Sequence, residues 1–443
     1  MRQRSKLPSV LLTLTILVAA GTYYYYFGLL LPQSRRQTEA RGMGVDYSYG
    51  GDFYPVWLTG RALLRQRTNP YTQETTREIQ IGLYGRTMDN RPGDYPAEYR
   101  AFSYPLYTDL LAAPLLWLDF DTVRIVLTLL LVPLTAASVI FWVRAFRLRA
   151  SRLALIIAIV LTLASYPVLE GLYALQAGLL AAAVLAFSMG ALSRNRFALS
   201  GILLAVASVK PQMIWLLAVS LLLWAISDWK HRKGLAISFT LTVATLWFAA
   251  EMLLPGWLAG WWRTIAQYSA YTLPPLPQLL LGKWIGNAVA LAMLVLAAAV
   301  AWRTRALAAS SEGFLLSVSL ILTITVILLP TGGAVYDQVI LVPVILWLWS
   351  RRAEILRASA PLRILALAAI VALSWQWVMG CAVALGSLFW PEWSSSPAAL
   401  VFPTRMAAPL PFVVFAILSF SAASSLRGQA RGDERPLAAS IRS

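Results

Sequence analysis

Long runs of apolar residues follow one another along the whole chain, and short polar stretches separate them. Many runs contain about twenty residues, the length of a helix that crosses the hydrocarbon core of a bilayer. The pattern predicts an all-α polytopic membrane protein with about twelve transmembrane helices. The predicted spans are roughly residues 9–31, 121–143, 153–169, 172–192, 198–209, 212–227, 235–254, 279–301, 313–330, 338–350, 361–387 and 406–425.

One long polar stretch, residues 32–103, separates the first two spans. Clusters of Gly, Pro, Asn and Asp at residues 69–72 and 89–96 favour turns. Residues 51–67 (GDFYPVWLTGRALLRQR) have the periodicity of an amphipathic helix. We therefore expect a long first external loop with a helix lying along the membrane surface. The predicted apolar face of this helix holds Phe53, Trp57, Leu58, Ala62 and Leu64.

Two segments decide the predicted topology. Residues 104–118 (YPLYTDLLAAPLLWL) are short for a crossing and contain an aspartate and a proline, which predicts a re-entrant or surface segment. Residues 198–227 are predicted to form a tight helical hairpin broken at Lys210, because Pro211 disfavours helix at the residue before it. With these two features, the basic clusters between spans all fall on one side of the membrane.

Composition supports a membrane protein and explains the net charge. The chain is 59% hydrophobic and 13% charged, whereas soluble proteins are about 45–50% apolar and about 25% charged. The formal charge of +17 comes from basic residues in short loops, so the positive-inside rule predicts cytoplasmic loops and termini. Nucleic acid is therefore not a predicted partner. Residues 1–426 are predicted to form a single transmembrane domain, followed by a disordered basic cytoplasmic tail at 427–443.

Cysteine and histidine chemistry is nearly absent from the sequence. Cys381 is the single cysteine and His231 the single histidine, which excludes an internal disulfide and a structural zinc site. No external acidic cluster has a convincing spacing of metal ligands. We therefore expect neither a metal nor another cofactor.

Three polar residues near the outer ends of spans are candidates for chemistry. Lys210 interrupts an otherwise apolar run, and lysine suits phosphate as a compact point charge, although a lysine there could also snorkel to the membrane surface. Asp52 stands among aromatic residues, where it could cap the following helix or act as a general base on a hydroxyl. Gln176 lies in an apolar run and could make an interhelical hydrogen bond.

Five stretches, in order along the chain, carry a resemblance: GGDFYPVWLTGRALLRQRTNPYT, FSYPLYTDLLAAPL, LQAGLLAAAVLAFS, GILLAVASVKPQ and VYDQVILVP. Together they resemble glycosyltransferase family 87, a bacterial membrane family of the GT-C superfamily, over roughly residues 45–345. The resemblance implies the GT-C fold and an α-mannosyltransferase-like activity. Mannose, or a related hexose or pentose, would pass from a polyprenyl-phosphate donor to a lipid or glycan acceptor. The reaction would take place at the external face of the bacterial cytoplasmic membrane, among membrane lipids.

The resemblance also implies roles for individual residues. Asp52 matches the aspartate that acts as catalytic base in the first external loop of the superfamily, with inversion at the anomeric carbon. Lys210 matches a Lys-Pro element and is predicted to bind the donor phosphate. Apart from the resemblance, Arg405 and Lys283 are further predicted phosphate-binding residues because they are charged groups at the ends of spans. The predicted substrate-binding residues are Tyr54, Trp57, Arg61, Tyr104, Gln176, Gln212, Tyr336 and Asp337.

Two other functions stay open on the sequence alone. About twelve spans and a broken hairpin also suit a transporter or flippase of lipid-linked glycans, although such proteins often contain inverted repeats and none is evident here. A lipid-linked glycan ligase or polymerase is the other alternative. The catalytic features of such an enzyme would lie in a large external loop late in the chain, whereas the long loop of this chain comes first. Labelled lipid-phosphate sugars separate the glycosyltransferase from a transporter, because only the enzyme releases free lipid phosphate.

Overall fold

The computed structural model describes residues 7–40, 49–88, 99–329 and 335–432, which are largely helical and contain no strand. The helices are α1 (Leu7–Tyr23), α2 (Leu31–Ala40), α3 (Tyr54–Gln66), α4 (Gln73–Tyr84), α5 (Tyr107–Leu111), α6 (Phe120–Ala145), α7 (Arg152–Leu163), α8 (Tyr166–Tyr173), α9 (Ala177–Leu192), α10 (Phe197–Val206), α11 (Pro211–Ser227), α12 (Trp229–Leu253), α13 (Trp257–Tyr271), α14 (Leu276–Thr304), α15 (Glu312–Leu328), α16 (Val342–Ser350), α17 (Arg352–Arg357), α18 (Ala360–Phe389), α19 (Pro391–Ser394), α20 (Pro397–Val401) and α21 (Pro409–Gly432). A π-helix (Tyr24–Leu30) joins α1 to α2, and 3-10 helices form at Ala113–Leu115, Ala207–Val209, Val335–Leu341 and Phe402–Ala407.

Several helices are suited to cross a membrane. In the described residues, six helical segments are long and apolar enough to do so, and a seventh is formed if the bent pair α7–α8 counts as one span. The predicted all-α, multi-pass membrane fold is confirmed. Five further apolar helices contain 10–17 residues. The count of about twelve crossings therefore stays a prediction.

Residues 104–118 and the break at Lys210 form as the sequence predicts, but α10 and α11 do not pack against each other as the predicted tight hairpin, because α10 packs mainly against α9 and α12. Between residues 104 and 118 the chain forms only the short α5 and one 3-10 turn, and two such turns are too short to cross a bilayer. Lys210, with φ −127° and ψ 77°, breaks the hairpin between α10 and α11. Pro211 is the first residue of α11, a position where its missing N–H costs no helix hydrogen bond.

Two predicted boundaries are wrong. The first helical segment continues to Ala40 rather than ending at residue 31. The predicted break between residues 169 and 172 lies elsewhere, because α7 and α8 meet at a 52° bend and a second break precedes Ala177. Residues 427–432 belong to α21, and the disordered tail stays a prediction. The predicted tail beyond Gly432, the turn cluster at 89–96 and the basic N-terminal residues 1–6 lie outside the described residues.

Side chains of α18 support the bend between α7 and α8. The Trp377 indole donates to the carbonyl of Ala164 at 3.1 Å, and the Tyr166 N–H donates to the Gln376 side chain at 2.7 Å. A break in an apolar helix frees backbone groups that lipid cannot satisfy. The two hydrogen bonds from α18 therefore stabilise a break that α7 and α8 could not support alone.

The amphipathic helix α3 forms as predicted, and the side that it buries against protein is not its predicted apolar face, which was expected to lie on the membrane. Its buried residues include Val56, Thr59, Gly60 and Leu63, whereas Trp57 and most of the predicted face are only half-buried. A Cβ at Gly60 would lie 2.6 Å from the Leu116 side chain, so the glycine permits close packing against the segment that follows α5. α3 thus packs on protein with a face richer in small and polar residues than the sequence suggests.

The connections between helices alternate between two ends of the bundle. One end, here called the polar end, holds the breaks at Gln176 and Lys210. The 3-10 helix Val335–Leu341 belongs to this end because it packs against α8 and α9. The opposite end, here called the basic end, holds the α9–α10 and α11–α12 connections. There the Arg232 guanidinium donates to the carbonyl of Arg305 at 3.0 Å.

Candidate active site

Asp52 lies in a turn that is fixed against the break between α8 and α9. Its backbone N–H donates to the carbonyl of Ala174 at 3.1 Å, and the Gly50 N–H donates to the carbonyl of Tyr173 at 2.8 Å. Gly50 has φ +81°, a left-handed conformation that favours glycine. A Cβ there would also lie 3.0 Å from the Leu175 side chain. The backbone of Asp52 is thereby held at the polar end.

The carboxylate of Asp52 does not cap α3. The helix begins after Phe53, which makes no side-chain capping hydrogen bond, so the capping interpretation is wrong. The side chain points instead at two donors from distant parts of the chain. Arg100 donates Nη1–H to Oδ1, and Gln176 donates Nε2–H to Oδ2. Both oxygens of the predicted base are therefore hydrogen-bonded.

Gln176 links Asp52 to a predicted substrate-binding residue. The side chain of Gln176 is 3% exposed and occupies the N-cap position of α9. Its Oε1 accepts a hydrogen bond from the Tyr104 hydroxyl at 3.1 Å. A glutamine that both donates and accepts has one orientation only. Gln176 does bridge separate segments, and its position fixes the carboxylate of Asp52.

Arg100 is the residue that sequence reasoning missed. Arg100 lies away from the ends of the predicted spans, in the polar segment just before the FSYPLY stretch. Its backbone has φ +54°, which is uncommon for a residue other than glycine. Its side chain is 24% exposed, against 11% for Asp52. The feature of the sequence that could have indicated Arg100 is its position beside FSYPLY, part of a stretch that carries the family resemblance.

Lys210 is buried and ion-paired. Lys210 is 5% exposed. Its Nζ lies 2.5 Å from Oδ1 of Asp337 and 4.6 Å from the ring centroid of Tyr336. The alternative in which Lys210 snorkels to the membrane surface is therefore wrong. Its predicted role in binding the donor phosphate stays a prediction, and in this structure Asp337 occupies its ammonium group. Residues 331–334 of the outer loop TGGAVYDQ lie outside the described residues.

The start of α9 joins the two ion pairs into one site. Gly178 follows Gln176 by two residues, and a Cβ at Gly178 would lie 2.9 Å from Oδ1 of Asp337 and 3.2 Å from Nζ of Lys210. The charge of Asp52 also acts on the carboxyl of Asp337. Two acid–base pairs thus meet at the start of α9, an arrangement that can bind an anion and take a proton nearby.

Comparison with protein families decides the class of protein. The sequence model of Glycosyltransferase family 87 matches residues 102–330, just over half of the chain. The chain belongs to glycosyltransferase family 87. The protein is thus a membrane glycosyltransferase, and the resemblance seen in the sequence is confirmed. The matched residues include Tyr104, Gln176 and Lys210, whereas Asp52 and Asp337 fall outside them. A search of curated proteins gives no match to the chain.

Three predicted substrate-binding residues of the glycosyltransferase are engaged in packing. The Trp57 indole and the Arg61 guanidinium both donate to the carbonyl of Leu118, at 3.0 and 2.9 Å. The Tyr54 ring packs on Phe120 with centroids 5.0 Å apart. These contacts fix α3 to the start of α6. Substrate binding by the three residues stays a prediction.

Lys283, Arg405 and Gln212 are the remaining predicted ligand-binding residues. Lys283 and Arg405 are exposed. Within the described ranges, none of the three makes a hydrogen bond or ion pair with Asp52 or Lys210. Lys283 directly follows Gly282, where φ +77° interrupts α14. Their predicted contacts with substrate stay predictions.

No group of three or more His, Cys, Asp or Glu side chains in the described part of the chain could hold a metal ion. Asp52 and Asp337 have basic partners instead, because Asp52 contacts Arg100 and Asp337 contacts Lys210, and the Glu170 carboxylate accepts a hydrogen bond from the Tyr26 hydroxyl at 2.6 Å. Metal-independent transfer by the glycosyltransferase stays a prediction.

Proposed function

We propose that this glycosyltransferase moves a sugar from a polyprenyl-phosphate donor to a lipid or glycan acceptor, with Asp52 as the general base. One observation carries the proposal. The Asp52 carboxylate, the buried Gln176 amide and the Lys210–Asp337 pair meet at the start of α9. A carboxylate beside fixed cations can deprotonate a hydroxyl while a phosphate departs. Mannose or a related hexose or pentose is the proposed sugar.

We infer that the site faces the outside of the bacterial cytoplasmic membrane. The connections at the basic end carry arginines, among them Arg194, Arg232, Arg305 and Arg351. Short loops rich in Lys and Arg stay in the cytoplasm. The polar end lies at the other end of the same helices, so it would face outward, with both termini in the cytoplasm. A polyprenyl chain could then lie in the bilayer with its phosphate at the outer interface.

The proposed reaction forms one bond and breaks another at the same carbon. The acceptor hydroxyl oxygen attacks C1 of the sugar, and its proton passes to Asp52. The bond between C1 and the phosphate oxygen breaks, and its electron pair stays on that oxygen. The products are the glycosylated acceptor and polyprenyl phosphate. Attack from the face opposite the phosphate inverts the configuration at C1, through an oxocarbenium-like transition state.

The rigidity of the site supports Asp52 as the base. Its backbone is hydrogen-bonded to the α8–α9 break, and Gln176 holds its side chain. A base must lie within hydrogen-bonding reach of the proton that it removes. A carboxylate whose orientation is already fixed can hold that geometry when the acceptor binds. By contrast, a cap of α3 would turn its oxygens toward helix N–H groups and away from substrate.

Asp52→Asn tests the proposal in purified protein supplied with labelled polyprenyl-phosphate sugars. Asparagine keeps the size of the side chain and an acceptor oxygen for Arg100, but it cannot take the proton. We expect transfer to fall by about 10²–10⁴-fold. Asp119→Asn is the matched control, because Asp119 is an exposed helix cap whose Oδ1 accepts from the Thr122 N–H at 2.9 Å, and asparagine caps equally well. Near-normal transfer by Asp52→Asn would remove Asp52 as the base.

The same assay distinguishes an enzyme from a flippase of lipid-linked glycans. An enzyme releases free polyprenyl phosphate in equal amount to the transferred sugar, whereas a flippase leaves the donor intact. We expect release that depends on both donor and acceptor.

A further inference from the structure

We propose that Arg100 binds the phosphate of the donor, and that its move from Asp52 to that phosphate frees the base for catalysis. This inference rests on the proposed function and adds to it a phosphate ligand that the sequence did not indicate. The two cations of the site, Arg100 and Lys210, differ in the exposure of their side chains. They also differ in the state of the carboxylate that each would leave without its cation.

The first difference is accessibility. The side chains of Arg100 and Asp52 are 24% and 11% exposed, whereas those of Lys210 and Asp337 are 6% and 3% exposed. A phosphate that enters the site from outside therefore meets the guanidinium before it meets the ammonium.

The second difference is what happens to the carboxylate that loses its cation. Among the described residues, Asp337 has Lys210 as its one side-chain hydrogen-bond donor. A phosphate that took Lys210 would leave a carboxylate buried without a counter-charge, a strongly unfavourable state. Asp52 is different, because it keeps the Gln176 amide when Arg100 leaves. It then gains the acceptor hydroxyl and, in the reaction, the proton.

The chemistry of the group also favours Arg100. A guanidinium presents a planar fork of N–H donors that matches carboxylate and phosphate oxygens equally well. The phosphate of the donor is a diester with one negative charge, and the departing polyprenyl phosphate carries about −1.5 to −2 at pH 7. A cation that reaches the phosphate stabilises this growing charge. The same movement removes the cation that competes with the proton for Asp52.

The backbone around Arg100 is suited to such an exchange. The carbonyl of Tyr99 accepts from the Gln80 side chain at 2.7 Å, and the carbonyl of Tyr104 accepts from the Tyr71 hydroxyl at 2.9 Å. The segment is thus fixed on both sides of Arg100. The left-handed backbone of Arg100 is of a kind that persists where the surroundings hold it, often at functional sites. Rotation of the side chain alone can carry the guanidinium from one anion to the other.

The test is binding of polyprenyl phosphate, the leaving group, to full-length protein in detergent micelles, together with donor KM. We expect Arg100→Gln to weaken binding about tenfold and to raise KM by a similar factor, and Arg100→Lys to lose less. Arg65→Gln is the matched control, because Arg65 is an exposed arginine of α3 that lies 5.5 Å from the Trp117 ring. Its binding should equal that of the wild type.

A double-variant cycle separates exchange from simple repulsion. If Asp52 competes for Arg100, Asp52→Asn should bind polyprenyl phosphate several-fold more tightly than the wild type. That gain should largely disappear in Asp52→Asn/Arg100→Gln. A gain that is undiminished in the Arg100→Gln background would overturn the exchange, since it would reflect repulsion by Asp52 alone. Binding is measured without turnover, so loss of the base does not obscure the result.

The outcomes also separate this inference from the proposed function. If the wild type transfers sugar from the donor while Arg100→Gln retains wild-type KM and binding, the assignment of Arg100 is wrong and the proposed function stands. If the wild type neither binds polyprenyl phosphate nor uses its sugar derivatives, both are wrong. Recovery of binding in Arg100→Lys would show that a folded site needs a cation at this position.

Discussion

Breaking the buried Lys210–Asp337 pair tests how the site is held together. Its Nζ and Oδ1 atoms are 2.5 Å apart, and neither side chain is more than 6% exposed. At an effective dielectric constant of about 20, charges at this separation attract by about 7 kcal/mol, and the cost of removing two ions from water offsets much of that attraction. Removing one partner leaves the other charge buried. We expect Lys210→Met and Asp337→Leu each to lower the free energy of unfolding by about 3–5 kcal/mol.

The double variant Lys210→Met/Asp337→Leu distinguishes a structural pair from a donor-binding lysine. With both charges gone, no buried charge is left without a partner, so we expect stability to return toward that of the wild type. The assay is thermal unfolding in detergent micelles, followed by donor KM on every variant that folds. Lys230→Met is the control for loss of a lysine, because Lys230 is exposed and such substitutions change stability by about 0.5 kcal/mol or less.

Two results would refute this reasoning. A Lys210→Met protein as stable as the wild type would show that the ammonium is not held in a buried pair. A double variant that regains stability but still fails to bind donor would show that Lys210 contacts the phosphate itself. We expect instead that the double variant regains both stability and most of its affinity for donor, because Arg100 supplies the contact.

Three further predictions concern stability. Burial raises the pKa of Asp109 well above its usual range, so its contribution to stability is present below about pH 4 and is lost as pH rises through the raised pKa; Asp109→Asn should remove this loss when unfolding is compared at pH 5 and pH 9. Gly178→Ala should destabilise the fold by about 1–3 kcal/mol, since its Cβ would lie 2.9 Å from Asp337, and equal thermal stability would contradict the packing. Gln376→Leu leaves the Tyr166 N–H without its acceptor and should cost about 1–3 kcal/mol, and unchanged thermal stability would show that this hydrogen bond does not support the bend.

The sequence predicted the fold correctly where interactions between residues close in the chain determine it. Runs of apolar residues predict the helices, and Pro211 predicts the break at Lys210, because both effects act within a few residues. The bend between α7 and α8 was missed because its hydrogen-bond partners come from α18, more than 200 residues away in the chain. Sequence patterns report that a helix can form, but not which distant side chain will support its interruption.

The sequence indicated individual residues of the site but not which of them would be in contact. Asp52, Gln176 and Lys210 stood out because each is polar in an apolar or aromatic setting. Their partners are 48 to 127 positions away: Arg100 and Gln176 contact Asp52, and Asp337 contacts Lys210. Such pairings depend on how helices pack, which no local pattern encodes. Lys210 was consequently predicted to be available for substrate, whereas the fold gives it a carboxylate partner.

The position of the site follows from where the helices are interrupted. An unbroken apolar helix satisfies its own backbone and offers lipid and neighbouring helices only side chains. A break exposes N–H and C=O groups and lets polar side chains approach them. The breaks at Gln176 and Lys210 and the 3-10 helix that carries Asp337 all lie at the polar end. Because consecutive helices alternate in direction, breaks at that end gather groups from distant parts of the chain. Each cation of the site contacts a carboxylate before substrate arrives, so an incoming phosphate must replace a carboxylate, and Asp52, which keeps the Gln176 amide, can be replaced at less cost than Asp337.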